Sequence, residues 1–208
     1  MNIVDLTHMF DSDMPAYPGD PKSTLVQATT IEKDGYTDHK LSTLMHVGTH
    51  MDAPLHMIPN GRRMDDMPLS QCFGPGVLID AREKKTVDAD LLHGITIPKN
   101  AFVLVYTGYE EKWKTDDFFV GHPPITEAFA QKMVEANVHG VGMDMIGPDE
   151  PPYPTHKILL GNGIFIIENL TNLDKLLGKS FDVMAIPMKL HTDAAPVRVI
   201  ATLQGESS

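Results

Sequence analysis

The sequence predicts a single α/β domain that is rich in β-strands, and three observations support this. Its 208 residues lie within the size range of one domain. Eight short runs of apolar or β-branched residues have the length and composition of strands. Segments with the spacing of an amphipathic helix are fewer, so strands and helices do not alternate regularly along the chain.

The predicted strands extend along the chain and are separated by loops that contain proline and glycine. The prolines form short clusters, which indicate rigid loops rather than a domain boundary. Because no repeat, low-complexity tract or linker divides the chain, we expect one domain over residues 1–208. The predicted strands are 23–31, 39–47, 76–80, 102–108, 140–144, 163–169, 181–187 and 196–203.

Two helices are predicted between these strands. The stronger covers residues 126–137 and places Phe129, Met133 and Ala136 on one face, with Thr126 as a suitable N-cap. The weaker is short, covers residues 87–94 and would end at a glycine.

Composition and charge exclude several classes of protein. The formal net charge is −11, from 17 basic and 28 acidic residues, which argues against nucleic acid and anionic membranes as partners. Cys72 is the only cysteine, so an intramolecular disulfide and a zinc site of several thiolates are excluded. The N-terminal residues do not resemble a signal peptide, and no apolar run is long enough to span a bilayer. We therefore expect a cytoplasmic protein.

The segment HVGTHMDAPLH, residues 46–56, contains three of the ten histidines and one aspartate. Gly48 and Pro54 disfavour a helix here, and a strand end is the better prediction. If residues 50–52 are extended, His50 and Asp52 project to the same side of the strand. Imidazole and carboxylate groups are good ligands for zinc or manganese. The spacing alone also fits an acid–base site, or partly exposed histidines beside a turn-capping aspartate.

Three carboxylates follow apolar runs at the ends of predicted strands, and one of them could complete such a site. These are Asp80, Asp144 and Glu168. Burying an ionised carboxylate is costly unless it is paired or coordinates a cation. Each of the three could instead reach solvent where its strand ends, and the residues themselves do not distinguish between them. His156 is predicted to lie in a loop, either as a ligand or as a surface residue.

Several segments together resemble the cyclase family of metal-dependent hydrolases, which includes bacterial kynurenine formamidases (arylformamidases) and isatin hydrolases. The resemblance rests on HVGTHMDAPLH, HKILLGNGIFIIENL and APVRVIA, and also on DLTHMFDSDMPAYPGDP and TGYEEKW, so it covers essentially the whole chain. It implies a swivelling β/β/α fold, with a barrel-like sheet core flanked by helices. It also implies a homodimer or homotetramer.

The resemblance further implies a centre of two divalent metal ions, zinc or manganese. His56 corresponds to the catalytic proton donor and acceptor of the family. Asp52 and Glu168 correspond to the carboxylates that bridge the two metals. The residues that correspond to metal ligands are His46, His50, Asp52, His156 and Glu168.

Tyr17 departs from the pattern of kynurenine formamidases, which typically have at this position a tryptophan that packs on the substrate. Pro15, Pro18 and Pro21 stiffen the segment around Tyr17. We therefore predict that the tyrosine is held away from the core and forms a wall of the substrate pocket. A partner contact or a plain surface position is the alternative.

These observations predict a hydrolase in which the metal centre activates water to cleave a small amide. An aryl amide such as N-formylkynurenine is the expected substrate. A ring-opening hydrolase of a cyclic amide such as isatin is the first alternative, and a metal-binding protein without catalysis is the second. His56 favours an enzyme, because simple metal storage does not need a proton-transfer group. Cys72 has no recognisable histidine partner and is predicted to serve packing.

Overall fold

The computed structural model describes residues 2–205. Within this range the strands are β1 (Asn2–Asp5), β2 (Thr24–Thr29), β3 (Asp38–Ser42), β4 (His50–Asp52), β5 (Phe73–Asp80), β6 (Phe102–Tyr106), β7 (Gly140–Met143), β8 (Phe165–Glu168), β9 (Phe181–Pro187) and β10 (Ala194–Leu203). The α-helices are α1 (Ile31–Asp34), α2 (Glu127–Ala136) and α3 (Pro154–Gly161). Short 3-10 helices lie at Pro54–His56, Met64–Asp66, Leu69–Cys72, Ala89–Leu92, Tyr109–Lys112, Asp116–Phe119 and Leu173–Leu176.

Seven of the strands form a closed, barrel-like sheet. Their order is β10-β4-β8-β7-β6-β5-β9, and β9 pairs again with β10 to close the ring. The strands β5 to β8 pair in parallel, whereas β4, β9 and β10 pair with their neighbours in antiparallel fashion. β1 adds to β10 outside the ring, and β2 and β3 form a separate antiparallel pair. The predicted fold class, a β-rich α/β domain with a barrel-like core, is confirmed.

The side chains of the barrel strands alternate between two apolar cores, because successive residues of a strand point to opposite faces. On β6, Phe102 and Leu104 belong to the cluster inside the barrel, while Val103 and Val105 belong to a second cluster. This second cluster includes residues of α2 and α3, which therefore cover the outer face of the parallel strands. The candidate site lies on this outer side of the sheet.

Most of the predicted elements are present, with two corrections. The helix predicted over residues 126–137 is α2, and the hydroxyl of Thr126 accepts the N–H of Phe129 at 3.1 Å as its N-cap. The helix predicted over residues 87–94 is only the 3-10 turn Ala89–Leu92, too short to bury an apolar face. His156 was predicted to lie in a loop, but it belongs to α3, whose first residue is Pro154. Proline suits that first position, because its missing N–H would have no partner in the helix.

Within residues 2–205, no helix is long and apolar enough to cross a membrane.

Candidate metal centre and adjoining cavity

The pairing of β4 with β8 brings the first three site residues together. The strands are antiparallel, and His50 lies directly opposite Glu168. Met51 faces the barrel core, so His50 and Asp52 on either side of it face the outer side of the sheet. His50 Nε2 lies 3.3 Å from Glu168 Oε2 and 3.5 Å from Asp52 Oδ1. All three side chains are buried.

Helix α3 brings His156 to the same place. Its Nε2 lies 3.4 Å from Glu168 Oε1. Its other ring nitrogen, Nδ1, donates a hydrogen bond to the carboxylate of Asp149. Asp149 also accepts the backbone N–H of Thr155 at 2.6 Å, so both oxygens of this carboxylate, whose side chain is 7% exposed, are engaged. Asp149 therefore fixes the orientation of the His156 ring, with Nε2 towards Glu168.

His46 and His56 approach the site from the two flanks of β4. His46 Nδ1 lies 3.0 Å from Asp52 Oδ1, and its Nε2 lies 2.8 Å from Asp193 Oδ2. His56 ends the 3-10 turn that follows β4, and its Nδ1 lies 3.4 Å from the same oxygen of Asp193. The centroids of the two imidazole rings are 4.0 Å apart. The structure thus gathers all six residues predicted for the metal centre and its proton transfer.

The buried polar atoms of this cluster fit a divalent cation. Both carboxylate oxygens of Asp52, and Nε2 of His50, are buried and make no hydrogen bond of suitable geometry among the described residues, although His46 Nδ1 lies 3.0 Å from Oδ1 of Asp52. Such a carboxylate is costly to bury unless a cation balances it. The ligand atoms converge in two groups that share Asp52, and imidazole nitrogens with carboxylate oxygens suit zinc or manganese. The two groups are His46, Asp52 and His56, and His50, Asp52 and Glu168.

The electrostatics of the cluster also favour added positive charge. Burial disfavours protonation of His46, but Asp52 and Asp193 outweigh it and raise the pKa of the imidazole to about 9. Burial likewise opposes protonation of His156, and its carboxylate neighbours Asp149 and Glu168 raise that pKa to about 10. The carboxylates therefore attract protons or a metal ion strongly to this position.

Asp80 and Asp144, the other two strand-end carboxylates, have different partners. The exposed Asp80 forms a bidentate ion pair with Arg82, with N–O distances of 2.9 and 2.7 Å. Asp144 is buried and accepts hydrogen bonds from the backbone N–H groups of Thr107 and Tyr109 and from the Thr107 hydroxyl. Neither belongs to the two ligand groups described above. Of the three acids that the sequence left open, Glu168 is the one that joins the cluster.

A cavity of about 290 Å³ opens next to the cluster. His56, His156 and Glu168 line it on the side of the cluster. The rest of the lining is rich in aromatic residues, which are Tyr17, Trp113, Phe118, Phe119 and Tyr153. Tyr17 is 55% exposed, as predicted for this proline-rich segment, and meets Phe119 edge-on with a centroid distance of 6.2 Å. The structure places Tyr17 on the cavity wall, while contact with a substrate stays a prediction.

Sequence reasoning missed several residues of this site. Asp149 and Asp193, which hold the rings of His156 and His46, lie far from the eleven-residue motif and have no distinctive spacing. Trp113 also lines the cavity and stacks on His8 with ring centroids 4.0 Å apart. Its position in TGYEEKW, a segment that supported the family resemblance, was the available signal. Cys72 is buried outside this cavity, as expected for a packing residue.

Known proteins share both the sequence and the architecture of this chain. The family described as "Putative cyclase" matches residues 4–150. The chain belongs to this family. An uncharacterized protein of Methanocaldococcus jannaschii is 33% identical over 207 residues, covering 98% of this chain and 100% of that protein. Kynurenine formamidase of Geobacillus thermodenitrificans is 28% identical over 208 residues, with coverages of 97% and 98%.

Two solved structures of similar fold agree with membership of the cyclase family. Isatin hydrolase A from Labrenzia aggregata, bound to benzyl benzoate, superposes with a TM-score of 0.88 at 29% identity, covering 99% of this chain and 94% of that one. A potential metal-dependent hydrolase with cyclase activity gives a TM-score of 0.82 at 29% identity, with coverages of 99% and 99%. The family resemblance predicted from the sequence is confirmed.

Proposed function

We propose that this protein is a metal-dependent amidohydrolase that cleaves a small aryl amide such as N-formylkynurenine. The observation that carries the proposal is the position of the buried histidine–carboxylate cluster at one side of an aromatic cavity. The relatives named kynurenine formamidase and isatin hydrolase support the same class of reaction, hydrolysis of a carbon–nitrogen bond.

The cluster would hold two divalent ions, zinc or manganese, with Asp52 and Glu168 shared between them. The ions, when bound, supply a Lewis acid for the amide carbonyl and lower the pKa of water towards ~7. The ligand set proposed for this role is His46, His50, Asp52, His156 and Glu168. Support comes from the unpartnered atoms of His50 and Asp52 and from the shared position of Asp52 in both ligand groups.

Hydrogen bonds behind the cluster prepare two of its imidazoles for this role. His50 donates from Nδ1 to the carbonyl oxygen of Gly48 at 2.8 Å, which leaves the lone pair on Nε2. His156 donates from Nδ1 to Asp149, with the same consequence. A hydrogen bond at one ring nitrogen sets which tautomer is present and raises the basicity of the other nitrogen. In both residues Nε2 is therefore the ring nitrogen that faces Glu168, and the one on which a metal ion would replace a proton.

His56 is the residue that we assign to proton transfer. It is partly exposed and lines the cavity, so a substrate in the cavity can reach it. Asp193 lies 3.4 Å from its Nδ1 and orients the ring, which leaves Nε2 for the substrate. The nitrogen that leaves during amide cleavage must gain a proton, and a positioned imidazole can deliver it.

We further propose that the protein acts in the cytoplasm as a homodimer or homotetramer, on a small molecule and without nucleic acid or membrane partners. The net charge of −11 supports the exclusion of polyanionic partners. The oligomeric state rests on the resemblance to the cyclase family alone, and sedimentation of the purified protein tests it.

A substrate screen tests the proposed activity. Purified protein is stripped with a chelator, reloaded separately with zinc and manganese, and incubated with N-formylkynurenine, formanilide and isatin. We expect hydrolysis of at least one acyclic aryl amide by a reloaded protein, and loss of that activity on renewed chelation. The proposal is wrong if neither reloaded protein cleaves any amide faster than the stripped protein does.

A further inference from the structure

The cavity beside the metal cluster is lined by acidic side chains but by no lysine or arginine among the described residues. Two exposed acids, Asp20 and Glu150, line it in addition to the carboxylates that hold the histidines. No lysine or arginine is among its lining residues in the part of the chain that the structure describes. The aromatic residues already named line the same cavity. A ligand therefore meets carboxylates and aromatic rings here, and no permanently cationic side chain.

A buried imidazole in the same cavity has one ring nitrogen without a hydrogen bond among the described residues. His122 is 8% exposed and lines the cavity, and its Nδ1 has no hydrogen bond among the described residues. A buried polar group of this kind is costly unless something satisfies it. Burial also lowers the pKa of His122, so the ring supplies a hydrogen bond but little positive charge near neutral pH. Apart from the metal cluster itself, no lining side chain among the described residues thus offsets Asp20 and Glu150.

Such a wall distinguishes ligands by charge. An ammonium group is attracted by the faces of aromatic rings and by carboxylates. A carboxylate on the ligand is repelled by the same acids and finds no arginine or lysine to pair with. The net charge of −11 acts in the same direction on an approaching ligand.

We propose that the cavity selects aryl amides that are neutral or carry an ammonium group, and discriminates against those whose only charged group at the end remote from the amide is a carboxylate. N-formylkynurenine carries both an ammonium group and a carboxylate at that end, so it belongs to the accepted class. In this arrangement His122 makes a hydrogen bond to a polar group of the substrate. The inference rests on the proposed function, because it names the substrate class of the same site.

Three para-substituted formanilides, carrying hydroxymethyl, aminomethyl or carboxymethyl groups, test the charge preference. The methylene group limits the electronic effect of each substituent on the amide, so differences report on binding. One exposed ion pair changes affinity by a factor of about two to five, and two acids act here with opposite sign on the two charged probes. We expect kcat/KM for the ammonium probe to exceed that for the carboxylate probe by about tenfold or more, mainly through KM.

Charge-removing variants locate the source of the preference. Asp20→Asn and Glu150→Gln should each lower the ratio of kcat/KM for the ammonium probe to kcat/KM for the carboxylate probe. The double variant should bring this ratio to within about twofold to threefold of unity. The matched control is Glu135→Gln, which removes an exposed acid of α2 that pairs with Lys132 and does not line the cavity. The control should keep the wild-type ratio. His122→Phe should raise KM for the hydroxymethyl probe about twofold to tenfold.

Binding measurements separate this inference from the proposed function. Trp113 is the only tryptophan of the chain and lines the cavity, so its fluorescence reports ligand binding without turnover. The probes are 4-(aminomethyl)aniline and 4-aminophenylacetate. If no formanilide is cleaved, the proposed function fails, and the ratio of the two dissociation constants still decides the charge preference. Equal or tighter binding of the carboxylate probe overturns the inference, as does a control variant that narrows the ratio as much as the double variant.

Discussion

The two sides of the cavity are built in different ways. On one side, β4, β8 and α3 hold buried histidines and carboxylates whose positions follow from strand register and helix packing. On the other side, loops and 3-10 turns present partly exposed aromatic rings such as Tyr17 and Trp113. Regular elements fix side chains more firmly than loops do, and loops are where binding differences are commonly placed. We infer that the first side determines the reaction and the second determines which substrate is accepted.

The largest effect is expected from replacing Glu168, on the side of the cavity that β4, β8 and α3 form, which we call the strand-borne side. Glu168→Gln keeps the shape of the side chain but removes the charge shared between the two proposed metals. We expect loss of both metals and of activity, measured by elemental analysis of protein purified without chelator. The matched control is Asp80→Asn, a carboxylate that also ends a strand but pairs with Arg82. Full metal occupancy in Glu168→Gln would disprove the proposed second site.

Replacing His56 tests whether this residue is a metal ligand or a proton-transfer group. His56→Ala should keep its metals and lose about 10²–10⁴-fold in turnover, the usual contribution of a positioned acid–base group. Metal content and kcat are measured on the same preparation, with His93→Ala as an exposed control outside the cavity. The converging group of His46, Asp52 and His56 offers a definite alternative. If His56→Ala loses metal as readily as His50→Ala, His56 is a ligand.

Replacing Asp149 should have a smaller effect on metal binding, because this residue would act on the metal only through the ring of His156. Asp149→Asn keeps the side-chain size but weakens the hydrogen bond that sets the tautomer of His156. We expect metal affinity to fall about 10–100-fold, the usual effect of losing such a partner, as measured by competition with a chromogenic chelator. Glu150→Gln, one residue away and exposed, should leave metal affinity unchanged. Equal affinities for Asp149→Asn and wild type would show that helix packing alone orients His156.

The sequence predicted the strand-borne side well, because strand periodicity and the eleven-residue motif contain most of its geometry. The alternation of β4 places His50 and Asp52 on one face, as expected from residues 50–52 being extended. Selecting Glu168 over Asp80 and Asp144 required pairing between β4 and β8. These strands are more than a hundred residues apart in the chain, so periodicity could not give the register between them. The family resemblance identified Glu168 as a ligand instead.

The irregular segments and helix α3 were predicted less well than the strands, and the reason is physical. Asp149, Asp193 and His122 are single polar residues in irregular segments, where no periodicity indicates burial or direction. Helix α3 was missed because its apolar residues 158–160 have the length of a strand. The helix also begins just after Tyr153, whose left-handed backbone conformation is not predictable from the sequence. Tyr17 was found only because prolines surround it and the family has an aromatic residue there.

Replacing Tyr17 should have the smallest effect, because the substitution removes one aromatic ring from the cavity wall and leaves the metal cluster intact. An aromatic contact contributes about 0.5–1.5 kcal/mol beyond area burial, so Tyr17→Ala should raise KM for an aryl amide by about tenfold or less. Metal content should not change, and Tyr36→Ala, an equally exposed tyrosine outside the cavity, should leave KM as in the wild type. Tyr17→Trp should lower KM for N-formylkynurenine if that compound is a substrate. Equal KM values for Tyr17→Ala and wild type across aryl and alkyl amides would place Tyr17 outside the binding surface. The aromatic lining that remains would then be that of Trp113, Phe118, Phe119 and Tyr153, which the structure added to the prediction.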